Sequence, residues 1–170
     1  MDNNELNRRV RYALALDDAE AVRLMALGGS TVTAYMAAAH RCKEEEPGFQ
    51  ACPDDLLLAL LAGLVRDRRG APPEQNAEPG SSDINKGTEA AYSMVMDNNT
   101  VLKQLRIALS LRTEQVQQLI VAGGGKLGKS EVGAFFRKSD ARNYRRCGDQ
   151  VIRWFLSGLA ARRNVESAGK

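Results

Sequence analysis

The string Gly123-Gly124-Gly125-Lys126-Leu127-Gly128-Lys129-Ser130 has the Gly-x4-Gly-Lys-Ser spacing of a phosphate-binding loop. In such a loop the glycine amides cradle phosphates, the lysine reaches the β and γ oxygens, and the hydroxyl binds Mg²⁺. The surrounding sequence argues against a nucleotide site. Leu119 to Ala122 passes for a strand, but forty residues follow Ser130, too few for the parallel sheet behind a P-loop. No apolar strand ending in Asp follows to hold Mg²⁺ either. The string is read as a glycine turn that ends a helix. A looser role stays open: glycine amides with Lys126 and Lys129 at a helix start favour any phosphate, a nucleic-acid backbone included.

Metal and nucleophile chemistry is poorly supported. Cys42, Cys52, Cys147 and His40 lack the Cys-x2–4-Cys pairing of structural zinc. Small buried thiols are the better reading. His40 is the one histidine and has no nucleophile at fixed spacing to activate. Glu44-Glu45-Glu46 reads as a solvated run. Asp54 and Asp149 suit the first turn of a helix, where the dipole favours negative charge. No paired acids suggest an active site. The expectation is a protein that is not an enzyme, with no metal and no cofactor.

Charge carries more information. The chain has 24 Lys and Arg against 21 Asp and Glu, net +3, unevenly spread. Residues 1–70 hold 9 basic and 11 acidic side chains, 71–96 hold 1 and 4, and 97–170 hold 14 and 6. The basic excess concentrates at Lys126, Lys129, Arg137, Lys138, Arg142, Arg145, Arg146 and Arg153, with Tyr144 and Trp154 among them. Such a patch attracts phosphates, with binding that weakens steeply as salt rises. The competing reading is a basic surface that complements the acidic first half or an acidic protein partner.

The elements that position these residues follow from a duplication. Shifted by 95 residues, the sequence matches itself without a gap at 18 of the 68 positions from 2 to 69. Asp2-Asn3-Asn4 returns as Asp97-Asn98-Asn99, Gly28-Gly29 as Gly123-Gly124, Cys52 and Asp54 as Cys147 and Asp149, and Gly63-Leu64 as Gly158-Leu159. Each copy reads as four short helices. The first follows Asn4 or Asn99 as N-cap, the second Asp18 or Thr113. The second ends at the glycine pair. The third starts near Thr33 or Gly128, the fourth after Cys52 or Cys147. Apolar stripes fit this scheme: Leu6, Val10, Ala13 and Leu14 in the first helix, Leu56, Leu57, Leu60, Leu61 and Leu64 in the fourth. Gly63 and Gly158 sit inside the fourth helix at a cost of about 1 kcal/mol each against Ala, which points to a close helix crossing. Nothing alternates as a strand would.

Residues 71–96 read as a flexible linker containing Pro72, Pro73, Pro79 and Gly80-Ser81-Ser82. The expected organisation is a first repeat over 1–70, the linker over 71–96, a basic second repeat over 97–164 and a tail over 165–170. Repeats of this size are marginal alone, so the two are expected to pack together about a pseudo-two-fold axis. The longest apolar run is ten residues, so no membrane span is expected. No basic segment followed by an apolar one opens the chain, and the odd cysteine count suits reduced thiols, so the expected location is cytoplasmic.

Further residues place the chain. Asn98-Asn99, Leu105-Arg106, Ala108-Leu109, Ser130-Glu131, Ala134-Phe135-Phe136-Arg137-Lys138, Asn143-Tyr144-Arg145 and Cys147-Gly148-Asp149-Gln150 form a pattern that resembles the bacterial YehS-like family. The resemblance covers both copies. It implies a tandem helical domain and no particular activity. The first copy departs from the pattern at His40-Arg41, where an aromatic pair like Phe135-Phe136 is expected.

The expected fold is all-α, two homologous four-helix repeats with a helix-turn-helix-like order, joined by a flexible linker. In the second copy the third helix would present Lys129, Ser130, Gly133 and Arg137 outward. The expected function is DNA or RNA binding by that basic face. The alternative is a protein-interaction adaptor that docks partners on the alanine-rich third helix of copy one and on Trp154.

Overall fold

The computed structural model describes residues 1–70 and 96–168, and these are all-helical. The first copy comprises α1 (Asn3–Leu14), α2 (Asp18–Leu27), α3 (Ala34–Ala39) and α4 (Asp54–Arg69). The second comprises α5 (Asn98–Ala108), α6 (Thr113–Ala122), α7 (Lys129–Ala134) and α8 (Asp149–Ala168). The expected linker lies outside the described residues except for Met96. Of the expected tail, residues 165–168 are helical and continue α8 to Ala168.

Helix starts differ by one or two residues from the sequence expectation, for a clear reason. Asp2 caps α1 by accepting the Glu5 N–H at 2.7 Å, and Asp97 caps α5 by accepting that of Thr100 at 2.7 Å. This leaves Asn4 and Asn99 inside the helices with their amides free for distant partners. Asp17, not Asp18, caps α2 through the Glu20 N–H. In the second copy Arg112 holds that position, and the Gln115 side chain accepts the Arg112 N–H instead.

Within each copy the second and fourth helices touch backbone to backbone. A Cβ on Gly63 would lie 1.8 Å from the Leu24 carbonyl oxygen, and one on Gly28 would lie 1.9 Å from that of Ala59. The second copy repeats this: Gly158 faces the Leu119 oxygen and Gly123 that of Trp154, each at 1.9 Å from an added Cβ. This is the close crossing that glycines inside helix four imply. The chain after each second helix turns through Gly29 (φ 101°) or Gly124 (φ 98°), a left-handed conformation that glycine adopts without strain. The leucine stripe of α4 and the Ile152, Phe155, Leu156 and Leu159 stripe of α8 are buried against this pair.

The two copies share one core. Each first helix packs mainly on the last helix of the other copy, α1 on α8 and α5 on α4, and only lightly on its own. This crossed arrangement is the expected pseudo-two-fold association. Polar ties reinforce the α1–α8 side. Arg153 donates to both carboxylate oxygens of Glu5 at 3.1 Å, and Arg9 donates to Glu5 at 2.8 Å. The Met1 amino group pairs with Asp149, and Arg163 reaches the Tyr12 carbonyl while lying 5.3 Å from the Tyr12 ring centre. No helix among the described residues is long and apolar enough to cross a membrane.

Two outcomes are expected. Gly63→Ala removes at least about 3 kcal/mol by forcing α2 and α4 apart, while Gly133→Ala, with nothing within 4 Å of the added Cβ, gains about 0.5–1 kcal/mol. Urea unfolding of both variants checks this. The Glu5 carboxyl is held at about 2 by hydrogen bonds from Arg153, against desolvation and with help from Arg9. Its folded pKa lies below its ordinary value of 4.5, so its contribution is full above that value and is lost as pH falls toward 2. Arg153 is a third exposed, so solvent screens the pair; Glu5→Gln is expected to cost about 1–2 kcal/mol at pH 7 and little near pH 2 in an acid titration followed by circular dichroism.

Candidate nucleic-acid interface

Five of the eight predicted basic residues, Arg137, Lys138, Arg142, Arg145 and Arg146, lie on the connection from α7 to α8, residues 135–148. An asparagine holds that connection. Asn99, buried on α5, donates from Nδ2 to the carbonyls of Phe135 and Arg145, each at 2.9 Å, and its Oδ1 accepts the Cys147 N–H at 2.8 Å. Asn98 donates to the Cys147 carbonyl at 3.1 Å and to Asp149 Oδ1 at 2.8 Å. The first copy has a similar latch, which differs in one acceptor: the carbonyl equivalent to that of Phe135, His40, is taken by Asn7 instead. Asn4 donates to the carbonyls of Cys42 and Gln50 and accepts from Cys52 N–H at 2.8 Å, while Asn3 reaches Cys52 and Asp54. The recurring Asn-Asn, Cys and Asp of the sequence are thus parts of one device. Both connections also turn through a left-handed residue at the same place, Gly48 and Asn143, each with φ 85°.

The latch fixes the backbone and leaves the side chains outside. Lys138, Arg142 and Arg146 are exposed on the 135–148 connection and make no described ion pair. Arg137 is exposed and donates to the Asn143 carbonyl at 3.2 Å. Arg145 pairs with Glu131, tying the connection to α7. Lys126 is exposed in the α6–α7 turn. Two predicted residues are elsewhere engaged: Lys129 pairs with Glu114 of α6, and Arg153 is the cross-copy partner of Glu5. Arg153 therefore leaves the candidate surface.

The glycine string does not cradle an anion. The amides of Gly123, Gly124 and Gly125 donate to the carbonyls of Leu119, Val121 and Ile120 and close the end of α6. The Gly128 amide donates to Glu131 Oε2 at 3.0 Å. That backbone bond and Arg145 hold the Glu131 carboxyl below its ordinary range. The amides that a phosphate would need are taken, and a carboxylate sits at the start of α7. The looser phosphate role of this turn is withdrawn on those grounds. The groove-reading helix is corrected too: α7 is six residues long and ends at Ala134, so Arg137 lies beyond it.

The docking surface of the adaptor reading is altered as well. Ala37 and Ala39 are buried, and the Trp154 ring packs on the glycine turn, where a Cβ at Gly125 would lie 2.8 Å from it. Cys52 and Cys147 are buried in equivalent slots of their own copies, and burial pushes both thiols up to about 12. Cys42 is half-buried and all three are free thiols. Among the described residues no group of three or more His, Cys, Asp and Glu is arranged to hold a metal ion. Arg69, Lys103 and Arg106, which charge counting along the sequence passed over, line a separate cavity at the α4–α5 contact.

The sequence pattern of a family described as protein of unknown function (DUF1456) matches residues 3–70 and again 98–164. The chain is 39% identical over 166 residues to Uncharacterized protein YehS of Escherichia coli (strain K12), covering 98% of this chain and 99% of that one. No solved structure matches. The chain belongs to this family.

Removing the latch tests its role. Asn99→Ala leaves two carbonyls and one N–H without their partner and is expected to cost about 2–4 kcal/mol. Hydrogen exchange should show the loss of protection centred on residues 135–148.

Proposed function

We propose that this member of the DUF1456 family is a cytoplasmic, non-enzymatic protein that binds DNA or RNA through the α7–α8 connection of its second copy. One observation carries the reading. A latched connection is present twice, but residues 40–53 carry Arg41 and Lys43 against Glu44, Glu45 and Glu46, where residues 135–148 carry Arg137, Lys138, Arg142, Arg145 and Arg146 against Asp140 alone. The fold does not require the positive charge, since the more acidic connection is held by the equivalent asparagine, through the same bonds to Gln50 and Cys52 that Arg145 and Cys147 receive. Four exposed cations, Arg137, Lys138, Arg142 and Arg146, on a backbone fixed by Asn99 suit contact with successive phosphates. With α7 too short to fill a major groove, the expected mode is backbone contact with little base discrimination.

Fluorescence anisotropy with mixed DNA and RNA oligomers tests this. Binding at low salt should be micromolar or tighter, and should fall by roughly tenfold or more between about 50 and 200 mM salt. Arg142→Glu with Arg146→Glu should weaken binding by about tenfold or more and reduce the salt slope by about 2, with an unchanged melting temperature. These two are chosen over Arg145, whose pair with Glu131 also holds the connection. Absence of binding at low salt would remove the reading and leave the connection as a surface for an acidic protein partner.

A further inference from the structure

The duplication provides an internal control for the cavity at the α4–α5 contact. Its counterpart lies where α1 meets α8, and there every cation has a partner. Arg11 pairs with Asp18 and donates to the Ala37 carbonyl at 2.8 Å. Arg41 donates to the two Asp18 oxygens at 3.1 and 3.4 Å, and Arg8 donates to the Arg41 carbonyl at 3.2 Å. Arg163 covers Tyr12.

On the α4–α5 side the equivalent residues have changed together. Thr113 stands in the place of Asp18, Phe136 in that of Arg41 and Ile107 in that of Tyr12. Arg106, the counterpart of Arg11, donates from Nε to the Leu111 carbonyl at 3.1 Å and lies 4.4 Å from the Phe136 ring centre. Its two terminal nitrogens have no described partner. Lys103 and Arg69 have none among the described residues. These three cations surround a cavity of about 390 Å³ whose other walls include Ile107, Leu111 and Phe136. No carboxylate among the described residues contributes to it. Three like charges facing one cavity repel, and an anion between them reverses the sign of that interaction.

We propose that this cavity binds a phosphate monoester, whose dianion takes the role that the Asp18 carboxylate plays in the first copy. The two free nitrogens of Arg106 suit a two-point contact with phosphate oxygens, Lys103 and Arg69 supply point charge, and the apolar wall accepts the organic part. The site shares Phe136 with the α7–α8 connection but none of that connection's cations, and it does not depend on the nucleic-acid reading. A phosphorylated small molecule and the 5′ end of a nucleic acid present the same group, and the test separates them.

Calorimetric titration of the full chain with ribose 5-phosphate, against ribose, measures the first source. Anisotropy with 5′-phosphorylated and 5′-hydroxyl oligonucleotides measures the second. Wild-type protein should bind the monoester with sub-millimolar affinity. Lys103→Ala should weaken this by about tenfold or more. Thr113→Asp, which puts a carboxylate at the position that Asp18 holds in the first copy, should abolish monoester binding and raise the melting temperature. A preference for the 5′-phosphorylated oligonucleotide would assign the nucleic-acid end as source, and ribose 5-phosphate binding without that preference would assign a small molecule. Failure of wild type to bind either probe, or binding by Thr113→Asp and Lys103→Ala as tight as that of wild type, would overturn the proposal. The Arg142→Glu, Arg146→Glu variant keeps the two readings apart, since ribose 5-phosphate binding should survive in it whatever happens to oligonucleotide affinity.

Discussion

An added Cβ at Gly28, Gly63, Gly123 or Gly158 would stand 1.8 to 1.9 Å from a carbonyl oxygen of the facing helix, far inside the contact distance of two non-bonded heavy atoms. Each copy therefore depends on a contact between two helix backbones with no side chains between them. That closeness lets the stripes of α4 and α8 bury fully, and it places the turn after the second helix and the short third helix to one side. The connection to the fourth helix then runs back past the first helix. Without a sheet or a long helix to satisfy its backbone, it uses asparagine side chains, and Asn4 and Asn99 supply two donors and one acceptor each. The glycine contact sets the frame and the asparagine latch finishes it.

Built on one frame, the two copies have diverged in correlated steps. Ala59 in the first copy corresponds to Trp154 in the second, and Ser30 to Gly125, so the bulk of the indole is matched by the loss of a side chain beneath it. Asn7 and His40 correspond to Leu102 and Phe135. Among the described residues the buried side-chain polar atoms without a partner are Asn7 Oδ1, Arg11 Nε and His40 Nε2, all in the first copy; the exchanges account for those of Asn7 and His40, whereas Arg11 has an arginine as its counterpart. Asp18 and Arg41 correspond to Thr113 and Phe136, which exchanges an ion pair for a cation over a ring. The pair Asp18 holds, despite burial that opposes its charge, keeps its carboxyl below the ordinary range through Arg11 and Arg41. Shared backbone and unlike surfaces are what duplication followed by specialisation of one copy leaves behind.

Much of the architecture is legible in the amino-acid sequence. The gap-free repeat, the helix stripes and the glycines inside helix four are local or periodic signals, and each maps onto the element it announced. The capping residues were displaced by one or two positions, because Asn and Asp are equally good caps and the sequence does not say which of Asp2, Asn3 and Asn4 is needed elsewhere. The Asn-Asn motif could be seen to recur, but its purpose could not, since its acceptors lie 36 to 51 positions away.

The chain alone thus determined the helical class, the number of copies, the glycine-dependent crossing and the bias of charge toward the second half. These follow from residue type and short-range spacing, which no distant partner can alter. Only the tertiary structure decided which cations are available. Arg153 meets a carboxylate 148 positions away in the other copy, Lys129 meets Glu114 across a helix turn, and Arg69, Lys103 and Arg106 converge from two copies on one cavity. Whether a charge is neutralised depends on what lies within a few ångströms, and in a molecule whose first helices pack on the opposite copy, neighbours in space are seldom neighbours in sequence.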